Sequence, residues 1–359
     1  NYGYSDEMTG AGWQTPRIGW ESEIPQRHWH LNDPGVVPNL LLTGQGSPTG
    51  ITVYEGDLLP EVFRNQVIHC DAGPSVCRAY PVKKDGAGYK SNNTFNTVAS
   101  IDDWAAPIMA EVGPDGNVWI LDWYNYIIQH NPTPSGFTTG KGAAYESDLR
   151  DKRFARIYRL MYQTSEADKV ASHTRDLSKA SARELVDALK DKNFFWRRTA
   201  QRLLIEKGTS DGATLAALVA LVDNQELDEI GLTTSAMHGI WTLAGLAELG
   251  NEPAQKALQE ACTKGFKHPS SPVRDAAVAY CHPTQVKQAL ELKLHRDADP
   301  RVQLNVMLRI ADDKSKATVP GELLADLVLG GRSVATDDIL LDAWTSAAST
   351  SPTPPLVGM

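Results

Sequence analysis

Apolar and polar positions alternate with a period of two through residues 49–54, 66–70, 75–82 and 95–100, and again through 108–112, 118–121 and 155–162. Runs of this length and period, separated by Gly, Pro, Asn and Asp, predict short half-buried strands. The sharpest local signal is Gly113-Pro114-Asp115-Gly116-Asn117 between two such runs. Pro presets φ at the second turn position and Gly supplies a positive φ, so the segment predicts a tight hairpin. Two successive groups of four short strands, residues 47–100 and 104–162, are the layout of repeated β-propeller blades. The second group carries an insertion at residues 131–153 ahead of its last strand. Insertions of this length between strands gather on one rim of such a ring.

From residue 178 the period changes to that of a helix. Leu185, Val186 and Leu189 share one face, and Ala200, Leu203 and Leu204 another. Helical pairs follow at 213–221 with 232–249, 254–262 with 273–280, 285–294 with 302–310, and 323–328 with 339–347. Second helices open on Trp196-Arg197-Arg198, Pro272-Val273-Arg274 and Pro300-Arg301-Val302. Proline in a first turn loses no intrahelical donor, and small residues let helices approach; this is the pattern of HEAT-type repeats. Trp196, Trp241 and Trp344 fall at helical spacing and are expected in the core of that stack. The expected fold is therefore β plus α, closing blades of a β-propeller followed by an α-solenoid. Its parts are a Gly/Pro/Trp-rich segment at 1–46, two blades at 47–162, a linker at 163–177, helical repeats at 178–349, and linker from 350 to 359.

Three stretches carry a resemblance to a known family: Ser47-Pro48-Thr49-Gly50-Ile51-Thr52-Val53-Tyr54-Glu55-Gly56-Asp57-Leu58-Leu59-Pro60, the segment from Gly113 to Asn125, and Leu149-Arg150-Asp151-Lys152-Arg153-Phe154-Ala155-Arg156-Ile157-Tyr158-Arg159-Leu160. Together they resemble the closing blades of bacterial proteins classed as membrane-bound dehydrogenases. Those join a glucose/sorbosone-dehydrogenase-like propeller to HEAT repeats, and many add a c-type haem domain with a CxxCH motif. The resemblance covers residues 1–162 by motif and the rest by architecture. It implies a periplasmic or exported bacterial protein that oxidises a sugar or a related alcohol or aldehyde and passes electrons to a haem domain.

Composition narrows the partners. A net charge of −9 over 359 residues argues against a general nucleic-acid binder, since phosphate contacts need clustered Lys and Arg. No apolar run reaches membrane-spanning length. The chain opens Asn1-Tyr2-Gly3-Tyr4, with neither initiator Met nor signal sequence, and ends in Ser351-Pro352-Thr353-Pro354-Pro355. An internal piece of a longer protein is expected, and the missing signal sequence leaves the compartment open. None of the four cysteines lies in a CxxCH or CxxC motif. Cys70 and Cys77 flank a hairpin connection, either as a facing pair or as two small strand residues, whereas Cys262 and Cys281 fall on apolar helix faces.

Candidate chemistry gathers at strand ends, where sites on this architecture are built. The ligand-binding candidates are Asp71, Asp103, Trp104, Asp122, Tyr124, Asn125 and His130, with His69 and Asp102 beside them. Asp122 either orients a base or ligates Ca²⁺ through oxygen, or it ties down the turn after its own strand. His28 and His30 share a face but lack a nearby third ligand, so packing is the expected role. The dehydrogenases that use pyrroloquinoline quinone hold its carboxylates with Lys and Arg in these blades. Here Asp71-Ala72-Gly73-Pro74-Ser75 and Asp102-Asp103-Trp104-Ala105-Ala106-Pro107 contain no basic residue, which disfavours that cofactor. Two function classes stay open: an oxidoreductase of a sugar-like substrate completed by parts outside this chain, and a non-catalytic module whose propeller and helical scaffold recognise a glycan or a protein partner, with the helical repeats as the surface for a protein.

Overall fold

The computed structural model describes residues 40–41, 48–56, 58–126, 153–162, 175–312, 334 and 336–350. His28, His30, His130 and the bulk of the 131–153 insertion lie outside these residues, as do the helix expected at 323–328 and the terminal segment from 351.

The molecule is mixed β and α. Strands β1 (Pro48–Val53), β2 (Val67–Asp71), β3 (Val76–Tyr80) and β6 (Phe95–Ala99) form an antiparallel sheet in the order β1-β2-β3-β6. Strands β7 (Pro107–Val112), β8 (Val118–Asp122) and β9 (Arg156–Leu160) form a second, three-stranded antiparallel sheet. Among the described residues this sheet has no fourth strand. Between β3 and β6 the chain makes a small hairpin from β4 (Lys83–Asp85) and β5 (Gly88–Lys90).

The two sheets pack face to face. Ile68, Cys70 and Cys77 of the first meet Ala110, Val112, Val118 and Ile120 of the second, with fully buried Tyr54 at one end. The alternation that buries these residues turns their neighbours outward. Trp119, Leu121, Ile157 and Arg159 share the outer face of the second sheet through the pairs Trp119↔Arg159 and Leu121↔Ile157, and all four are exposed. Ile51 and Val53 do the same on the outer face of the first.

Helices α1 (Ala182–Ala188), α2 (Phe194–Glu206), α3 (Gly212–Ala220), α4 (Thr234–Glu248), α5 (Glu252–Gly265), α6 (Ser271–Tyr280), α7 (Val286–Glu291), α8 (Pro300–Ala311) and α9 (Asp338–Thr350) follow. Their starts are chemically marked. Ser181 and Glu184 make a capping box, while Asn193, Asp211, Asn251 and Asp299 each cap a helix with a side-chain oxygen. Pro stands in the first turn of α5, α6 and α8. Contacts run α1 to α3 to α5 on one side and α2 to α4 to α6 to α8 on the other, a two-layer stack. One core runs through it from Leu177 to Ala347. Leu177 therefore belongs to the helical unit, although the sequence places it in a linker.

The β and α parts share a seam with two anchor points. At the first, the 113–117 turn meets the start of α2. Asn193 donates to the carbonyls of Gly113 (3.0 Å) and Pro114 (3.3 Å), and the Trp196 indole donates to Pro114 (3.0 Å). Trp196 is buried as expected, but against the turn as well as the helices. Beside it Arg197, 2 % exposed, forms an ion pair with Glu55 and donates to the carbonyls of Asp191 and Lys192. At the second anchor the tip of the β4–β5 hairpin enters the helical core. Ala87 is 1 % exposed there, its N–H donates to Asp337 (2.6 Å), and Lys84 pairs with Asp299 (2.5 Å).

Candidate functional site

The β7–β8 turn shows why this part of the sequence is so legible. Gly116 adopts φ +79°, and Gly113 N–H closes the loop on Asn117 O at 2.8 Å. The Asp115 carboxylate accepts from Asn117 N–H (3.2 Å) and from the Trp119 indole (2.9 Å). Burial raises the cost of its charge, but those hydrogen bonds and Arg159 together hold its pKa below the ordinary carboxylate value. The Tyr54 hydroxyl donates to Gly116 O (3.1 Å) and accepts from Leu58 and Leu59 N–H, tying the turn to the first sheet.

At the opposite end of β8 the candidate residues converge. Asp122 is 1 % exposed; its Oδ1 accepts from Ala106 N–H (2.7 Å) and Tyr124 N–H (2.8 Å), and its Oδ2 accepts from the Tyr158 hydroxyl (3.0 Å). One carboxylate thus fixes the approach to β7, the bend after β8 and the middle of β9. This is the tie-down arrangement, extended across three strands. Tyr124 takes φ +54°, a backbone conformation uncommon for a residue with a side chain. That bend turns its ring toward Trp104, with centroids 5.8 Å apart, and Trp104 also lies 6.0 Å from Tyr126.

Arg156 completes the group. It stands opposite Asp122 in the β8–β9 register, while Asp122 stands opposite Pro107 of β7 on its other side, and the Arg156 guanidinium lies 3.7 Å from the centre of the Tyr124 ring. Nη1 donates to Asp102 Oδ2 (3.1 Å) and to the Tyr158 hydroxyl (3.3 Å). The Trp104 N–H, then Arg156, hold the Asp102 carboxyl below its ordinary pKa, while Tyr158, then Asp102, hold the Arg156 guanidinium above its own. Burial, aided by Asp122, pushes the Tyr158 hydroxyl up. A continuous chain, Asp102–Arg156–Tyr158–Asp122, therefore runs against the Tyr124 ring, which Trp104 links to Tyr126. Tyr126 and neighbouring Trp123 are exposed, as is Asp103 on the adjoining turn, whereas Asn125 is buried.

Asp71 belongs to the same edge of the molecule. It ends β2 opposite Pro48, is 5 % exposed, and has Arg78 Nη1 3.6 Å away. The Thr49 hydroxyl lies 3.0 Å from the carbonyl of Cys70 and 3.2 Å from that of Pro107, joining the strand ends that carry Asp71 and Asp122. Burial lowers the pKa of His69 beside them, although Asp71 pulls the other way. Sequence reading missed Arg78, Arg156 and Tyr158. The loops looked free of basic residues because the cations arrive from neighbouring strands, a placement that only strand register reveals. Among the described residues no group of three or more His, Cys, Asp or Glu side chains is arranged to hold a metal, and no helix is long and apolar enough to cross a membrane.

Residues 26–164 match a domain of unknown function, DUF7133, a span that contains both sheets and the whole rim. No curated protein and no solved structure matches the chain.

Proposed function

We propose that the chain supplies two neighbouring blades of a larger β-propeller together with a HEAT-type scaffold, and that its rim binds a sugar-like ligand. The observation that carries the binding reading is the Trp104–Tyr124–Tyr126 group over the Asp102–Arg156 pair. A sugar ring has an apolar C–H face and a hydroxylated edge. Aromatic faces take the first and fixed charged groups take the second. The ring reading is supported by the outward Trp119, Leu121 and Ile157 on one side and Ile51 and Val53 on the other. Exposed apolar sheet faces of this kind are normally covered, and further blades stacked on both sides would cover them.

Redox chemistry, in this reading, belongs to other parts of an exported or periplasmic protein of the glucose/sorbosone-dehydrogenase-like kind, with c-type haem as the electron acceptor. The carboxylate of Asp122 is engaged by three protein donors, which supports a positioning role for it over Ca²⁺ ligation. The outer helical surface is left for a protein partner.

Titration of the chain with mono- and oligosaccharides, followed by tryptophan fluorescence and calorimetry, tests the binding reading. Trp104→Ala is expected to weaken binding roughly tenfold, equivalent to about 1.4 kcal/mol, without moving the melting temperature. Saccharides that leave the fluorescence and the heat unchanged would remove the reading.

A further inference from the structure

We infer that Cys70 and Cys77 form a disulfide that cross-links β2 to β3 beneath the rim. The two residues are direct partners in the β2–β3 register, and their sulfur atoms lie 3.6 Å apart as thiols. Both are fully buried in the core between the two sheets. Bond formation needs an approach of roughly 1.5 Å, within reach of side-chain rotation once the backbones are paired. The strands it would join carry the rim. The carbonyl of Cys70 faces the Thr49 hydroxyl that also reaches Pro107, and the carbonyl of Cys77 accepts from Thr97. Cys262 and Cys281 lie far along the chain in the helical core and serve as an internal control.

The chemistry is a thiol–disulfide exchange with a disulfide oxidant, such as oxidised glutathione or a protein disulfide. One cysteine, as thiolate, attacks the oxidant, forming a mixed disulfide and releasing one thiol. The second cysteine attacks the protein-bound sulfur and releases the other thiol. The protein dithiol loses two hydrogens and two electrons, and the oxidant is reduced to two thiols. In the closed sheet both thiols are fully buried and out of reach of a disulfide oxidant, so exchange there is slow. The bond is therefore made while the chain folds and is protected once the sheets close.

The test is to refold the whole chain in a glutathione redox buffer, block remaining thiols with iodoacetamide in denaturant, digest with trypsin and weigh the peptides. No Lys or Arg lies between the two cysteines, so both fall in the peptide spanning residues 65–78. That peptide is expected unalkylated and about 2 Da lighter than its dithiol form, with Cys262 and Cys281 alkylated. Reductant should lower the melting temperature of the oxidised chain by at least roughly 3 °C. It should leave a C70A/C77A variant unchanged. If that variant does not fold, the peptide masses decide alone. Alkylation of both Cys70 and Cys77 after oxidative refolding, or their capture by glutathione or another cysteine, overturns the inference.

Discussion

Among the described residues the helical half buries its apolar stripes in one continuous core, leaving single side chains such as Leu249 and Ile230 exposed, whereas the second sheet of the β half turns a whole apolar row outward. In the helices, each apolar stripe meets the next layer, and the core from Leu177 to Ala347 closes without help from the sheets apart from Ala87. In the sheets, one face of each makes the core and the other faces outward with Trp119, Leu121 and Ile157, or Ile51 and Val53. Among the described residues the outer face of the second sheet stays exposed, and that of the first is exposed along β1 but buried at Val76 and Tyr80 of β3, whereas stacked helix pairs meet a neighbour at every layer except the ends of the row. The β half is thus the dependent partner. It leans on the helices through the Glu55–Arg197 pair, the Pro-Asp-Gly turn and the β4–β5 tip.

Breaking the seam at Arg197 should have the largest effect. Arg197→Ala leaves Glu55 and the carbonyls of Asp191 and Lys192 without their donor, at a cost of about 3 kcal/mol. Denaturant unfolding should show the loss mainly in the transition that follows the strands. Asn193→Ala should cost less, about 1–2 kcal/mol. It removes both the cap on Phe195 N–H and the donor to Gly113 and Pro114, and the same unfolding experiment measures it.

Acid should act on the helical side of the same seam. Burial, reinforced by Arg197, lowers the pKa of His238 to about 3. The unfolded chain takes up this proton below about 6.5, the folded chain only near 3, so between those values the unfolded state binds more protons. Stability from this group is complete above about 6.5 and is lost as pH falls through the window. Melting temperature plotted against pH from 6.5 to 4 should therefore be shallower for His238→Gln than for the parent; equal slopes would exclude the assignment. The smallest effect expected is at the rim. Tyr158→Phe removes one donor to Asp122 at a cost of about 1 kcal/mol, read by thermal melting.

Much of this contrast is legible in the sequence, and the exceptions share a physical cause. The seven strands forming the two main sheets were marked by period two and by turn residues, and the described helices by period 3.6, with Pro272 and Pro300 marking two of their starts. The β4–β5 hairpin carries no such mark. Lys83, Lys84, Asp85 and Lys90 are all exposed, and its one buried anchor is Ala87 at the tip, too small to set a pattern. Within the rim, Trp104, Asp122 and Tyr124 were readable because they crowd the ends of obvious strands. Arg156 and Tyr158 were not, because they reach Asp102 and Asp122 only through the β8–β9 register. The seam was hidden for the same reason. Glu55 and Arg197 are 142 residues apart, and nothing local to either announces the other.

Hydrogen exchange on the intact chain tests most directly whether the sheets depend on helices that do not depend on them. In the parent, amides of β7 and β8 should exchange through smaller openings than those of α4 and α6. In Arg197→Ala the strands should lose protection while α4 and α6 keep theirs. Equal loss in strands and helices would contradict the account, since the two halves would then unfold as one unit.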